Sequence, residues 1–182
     1  MPIRIVQDPP EARRIAERAL TRSQRPDLFG LTIAPPAPIG ALGLYNLTLE
    51  DLLARRFEKA TLTGWRYVQL ADGATLGKIA DVTSDDGPVL AAIAEGALAR
   101  TVADVGSGAE ALLATATGDY EPRILRLPQV HMEALWLHGP KDRFFGLQGQ
   151  HADLRDEDFI TMAVARAEKR RDSRPTELPS GG

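Results

Sequence analysis

The segment from Gln129 to His138, QVHMEALWLH, carries the side chains best suited to chemistry. Read as a strand, its two-residue period puts Gln129, His131 and Glu133 on one face, followed by Leu135 and Leu137. Val130, Met132, Ala134, Trp136 and His138 take the other face. An imidazole and a carboxylate side by side can share a metal ion, or act as a base and the group that orients it. His151, beyond the next strand, is the remaining imidazole that could join His131 and Glu133 as a ligand, since His138 projects the opposite way.

Other chemistries find less support. The chain contains no cysteine, which removes disulfides, thiolate nucleophiles and sulfur-ligated metals. It also removes the zinc deaminases, whose His-x-Glu motif needs cysteine ligands downstream. No serine stands in a Gly-x-Ser-x-Gly nucleophile elbow. Asp85 and Asp86 fall in a turn, and Asp156, Glu157 and Asp158 open a helix, where carboxylates serve turn and dipole. No catalytic constellation emerges.

One further stretch, VADVGSGAE at 102–110, resembles the first motif of S-adenosylmethionine methyltransferases through Asp104, Gly106 and Gly108. Glu110 replaces the final small residue of that motif, and the chain beyond it is too short for the remaining strand and helix pairs, at about 30 residues each. The helix reading is simpler. PVLAAIAEGALARTVADV forms one helix over 88–105, Gly106 ends it, and Ser107 caps a second with Glu110 three residues on. No cofactor is implied.

These residues need a scaffold. A helix follows Asp8-Pro9-Pro10-Glu11, and Thr48 caps another with Leu49, Leu52, Leu53 and Phe57 at helical spacing. GWRYVQL and ATLGKIADV form a hairpin around Asp72-Gly73. YEPRILRL, QVHMEALWLHG and RFFGLQG are three strands with short connections, hence antiparallel. A last helix covers about 153–170. The expected fold is α+β: a largely antiparallel sheet of about five strands with helices on one face, in the order α-arm-α-β-β-α-α-β-β-β-α. Trp65, Tyr67, Leu90, Ile93, Leu125, Leu127, Trp136 and Phe145 are the expected core.

Three regions follow: an N-terminal helix and apolar Pro/Gly-rich arm over 1–47, a single α+β domain over 48–171, and a polar tail over 172–182. Exposed apolar residues on a free linker gain no burial, so the arm should either wrap its own domain or pack on a neighbouring subunit, in the second case burying Leu28, Phe29, Leu31, Ile33, Leu42 and Leu44. That predicts a non-enzymatic adaptor or structural protein, which docks its arm on another protein or a second copy. The alternative is a small enzyme or ligand-binding domain with His131, Glu133 and His151 on the polar wall of a sheet cavity. A net charge of -3 gives no general attraction to nucleic acid, and Arg13, Arg14, Arg18, Arg22 and Arg25 lack aromatic neighbours for base stacking. No apolar run reaches the roughly 18 residues of a membrane span, and no signal peptide is evident, so a cytoplasmic location is expected.

Overall fold

A computed structural model of the chain describes residues 4, 6–22, 40–70, 77–84, 86–113, 118–147 and 154–173. Along the chain they form α1 (Pro10–Arg22), β1 (Ala41–Asn46), α2 (Leu49–Leu53), β2 (Thr61–Leu70), β3 (Gly77–Thr83) and β4 (Val89–Gly96). Then come α3 (Ala97–Leu113), β5 (Glu121–Leu127), β6 (Met132–His138), β7 (Arg143–Gly146) and α4 (Asp156–Asp172). Single 3₁₀ turns at Phe57–Lys59 and Pro128–Val130 complete the set.

The fold is α+β, built on one mixed sheet of seven strands in the order β4-β3-β2-β1-β5-β6-β7. Two antiparallel runs, β1 to β4 and β5 to β7, meet along the parallel pair β1/β5. This corrects the expectation of about five largely antiparallel strands. The two additional strands arise from segments whose local pattern pointed elsewhere.

The first is β1. Residues 41–46, assigned to the arm, are the central strand, bonded to β2 on one side and β5 on the other. Leu44 is fully buried there, and Leu42, partly buried, packs against the same cluster, so both serve the domain's own core. The helix ahead of β1 also belongs to the domain: Ala12, Ala16 and Leu20 of α1 are buried against Trp65, Tyr67, Ala80 and Val82. The rest of the arm, with Leu28, Phe29, Leu31 and Ile33, lies outside the described residues.

The second is β4. The expected helix over 88–105 begins only at Ala97, because residues 89–96 pair with β3. Gly96 makes the junction at φ 155°, a conformation that side chains with a Cβ rarely adopt. The helix then runs unbroken through Gly106-Ser107-Gly108 to Leu113, so VADVGSGAE is helix interior, neither a junction nor a cofactor loop. Leu90 and Ile93, expected in the core, are exposed on β4.

Helices cover both faces of the sheet, not one. Alternate residues of a strand point to opposite sides, and the burial clusters follow that rule. Val68, Ile79, Ile124 and Leu135 pack under Ala99, Val102 and Ala109 of α3. On the opposite face α1 covers Tyr67 and Ala80, while Phe159, Ala163 and Ala167 of α4 cover Leu125, Leu127 and Trp136 with Leu52 of α2. α3 thus carries the chain from the β4 edge back across one face to the centre, where β5 begins. Gly77 allows its close approach, since a Cβ there would come within 2.8 Å of the Ala99 Cβ.

Candidate functional site

His131 and Glu133 do not form a pair. Pro128 ends β5, and the four residues to His131 make the turn into β6, with His131 in the left-handed conformation at φ 52° and its side chain exposed. The strand starts one residue later, at Met132. From there the expected alternation holds: Glu133, Leu135 and Leu137 face α3, while Met132, Ala134 and Trp136 face α4. His151 lies outside the described residues. Among the described residues, no three His, Asp or Glu side chains gather as a metal site.

Glu133 is committed to an ion-pair network on the α3 face. Arg66 of β2 donates from Nε and Nη2 to both carboxylate oxygens of Asp81 at 2.8 Å, and from Nη1 to Glu133 Oε2 at 2.9 Å. Arg126 meets the same carboxylate at 3.2 Å. Three strand spacings of about 4.8 Å separate β2 from β6, so the sheet must curl around this face for Arg66 and Glu133 to touch. Arg66 is 4% exposed. Burial works against its charge, but the hydrogen bonds and attraction of Asp81 and Glu133 outweigh that and hold the guanidinium ionised beyond its usual range. A guanidinium held by two carboxylates in this way ties strands together.

A second cluster, not evident in the sequence, lies on the opposite face. The Arg123 guanidinium sits 4.4 Å from the Tyr45 ring centroid and 4.9 Å from that of Trp136, and its Nε donates to Glu121 at 2.6 Å. Tyr45 also donates to Glu121. Burial, reinforced by the Glu121 charge, raises the Tyr45 hydroxyl above its ordinary pKa against the opposing pull of Arg123. Nearby, His138 Nδ1 is 2.9 Å from Asp142, which also accepts from the Gly139 amide across the β6–β7 turn. These contacts assign the carboxylate to turn geometry. The contacts of Tyr45 with Arg123, Glu121 and Trp136 were hidden from sequence because β1, β5 and β6 bring together residues far apart in the chain.

Among the described residues, three of the five exposed large apolar side chains lie on the edge strand β4. Every residue from Val89 to Glu95 is exposed, on both faces, including Val89 at 60%, Leu90 at 38% and Ile93 at 43%. Leu90 and Ile93 pair with Val82 and Ala80 and so lie on the α1 side. Val89, Ala92 and Ala94 take the α3 side. Ala91 is a bulge, left unpaired where the register shifts between Asp81 and Val82. Seven of the eight residues are uncharged, with Glu95 the exception.

The far edge is built differently. Along β7, the Gly146 amide donates to the Leu154 carbonyl, the Phe144 amide donates to the Asp156 carboxylate, and Arg155 bridges to Phe145. The chain seals that edge itself. Natural sheets protect their edges with charges, proline or covering segments; β7 is covered, and β4 has an internal bulge and one terminal charge. Comparison of the chain with known protein families, curated proteins and solved structures finds no match. No helix among the described residues is long and apolar enough to cross a membrane.

Proposed function

We propose that this chain is a non-enzymatic interaction or assembly protein. The observation that carries the reading is β4, an apolar sheet edge exposed on both faces. Exposed apolar edges are templates for pairing with another chain. Further support comes from the polar residues of the sheet interior: Arg66, Asp81, Glu133, Arg123 and Glu121 are engaged with one another in structural ion pairs. The arm contributes Leu28, Phe29, Leu31 and Ile33 as additional docking residues, without Leu42 and Leu44.

The test compares proteins retained by the immobilised chain with those retained by a Leu90→Lys/Ile93→Lys variant, a second copy of the chain included. Retention by the original and loss in the variant is the expected result. If neither retains any protein and both remain monomeric, the reading fails.

A further inference from the structure

We infer that the partner of β4 is a second copy of the same strand, joined antiparallel about a two-fold axis at Ile93 so that two sheets become one. This deepens the interaction reading and rests on it. The alternating amides and carbonyls of β4 that point away from β3 are unpaired among the described residues, and seven exposed side chains flank them.

Three observations select a second copy. First, the edges of the sheet are unequal. Pairing β4 of one copy with β7 of the next would propagate into a filament, but β7 is sealed by Leu154, Arg155 and Asp156. An interface made from one open edge alone closes on itself as a symmetric dimer.

Second, charge sets the direction. Glu95 is the one charge of β4. Parallel pairing in register would stack two Glu95 side chains, which is destabilising. With Ile93 on the axis, antiparallel pairing separates them by four residues, about 13 Å at ~3.3 Å per residue.

Third, side-chain size and parity fit that register. Facing residues of an antiparallel pair must share a sheet face. Beyond the bulge at Ala91 the strand is regular, and this axis sets Ala92 against Ala94 on the α3 side and Ile93 against Ile93 on the α1 side. Small residues leave room on one face, and an apolar pair fills the other.

The absence of cysteine makes the geometry directly testable, because an introduced thiol is the only one in the chain. Ile93→Cys should cross-link into a covalent dimer on mild oxidation. Val89→Cys should not, since its two copies would lie about eight residues apart along the pair, roughly 26 Å. Sedimentation equilibrium of the unmodified chain should give twice the monomer mass, and Ile93→Lys should weaken association at least about tenfold while thermal unfolding stays cooperative.

A monomer at all concentrations overturns the proposal. So does cross-linking of Val89→Cys as efficient as that of Ile93→Cys, which would indicate parallel pairing. A monomeric chain that still retains a different protein through Leu90 and Ile93 would reject self-pairing and leave the interaction reading standing.

Discussion

Arg66 illustrates how much one buried charge can control. Its guanidinium connects β2 with β3 and β6, and removing it would strand Asp81 as an uncompensated carboxylate in the interior. Arg66→Met should therefore cost about 3–5 kcal/mol by urea unfolding, with part recovered by adding Asp81→Asn. A loss under about 1 kcal/mol would show that the network is better solvated than its burial implies. Asp8 is a second carboxylate whose side chain is largely covered. Its carboxylate accepts from the Tyr67 hydroxyl at 2.6 Å and from Arg13, and so fastens the start of α1 to the sheet. Burial pushes its pKa up, but the hydrogen bonds from Arg13 and Tyr67, with the Arg13 charge, prevail and hold it below the usual carboxylate value. A depressed folded-state pKa stabilises above the unfolded value of about 3.9, and that stability disappears as pH falls through the folded value. Asp8→Asn should lose about 1–2 kcal/mol at pH 7, and the two proteins should converge in stability once the pH falls below the folded-state pKa of Asp8. A gap that persists in acid would assign the effect to packing.

At the scale of elements, α3 provides a clean test because two glycines occupy its interior. Neither Gly106 nor Gly108 has anything within 4 Å of where a Cβ would project. Glycine inside a helix costs about 0.5–1 kcal/mol relative to alanine, so Gly106→Ala and Gly108→Ala should each stabilise by that amount and raise the melting temperature additively. Destabilisation would mean that the helix is interrupted at these positions. The same element shows where sequence reasoning succeeds and where it stops. Thr48 caps α2 as its spacing implies, accepting the Asp51 amide, and the strands β2, β3, β5, β6 and β7 fall where alternation and turn residues place them. The segment VLAAIAEG failed because its alanines favour helix locally, while pairing with β3 decides the outcome. His131 differs for a related reason: the alternation of the strand is read from Gln129, whereas Pro128–Val130 forms a 3₁₀ turn and the strand starts only at Met132.

The whole molecule depends on the segment that sequence composition set apart as an arm. β1 carries too few residues to announce itself against the surrounding proline and glycine, and its partner β5 lies about 80 residues away. No local pattern contains that pairing. The charged network on the α3 face and the Arg123 cluster were illegible for the same reason, since each requires strands from both halves. Deletion of residues 41–46 should therefore abolish cooperative unfolding and near-ultraviolet circular dichroism. Replacing residues 24–39 with a polar linker of equal length should leave both intact. Native signals after loss of 41–46 would contradict the central position of β1.

That position also has a consequence during synthesis. β1 leaves the ribosome early and its partners on β2 follow 15 to 26 residues later, yet its other edge stays unpaired until β5 emerges. At roughly 5–20 residues per second that interval lasts several seconds. Throughout it the nascent chain displays an apolar strand waiting for its parallel neighbour, so chaperone recruitment should peak on chains arrested before Glu121 and fall once β5 to β7 are exposed. Recruitment independent of arrest position would show that β1 is protected from the start.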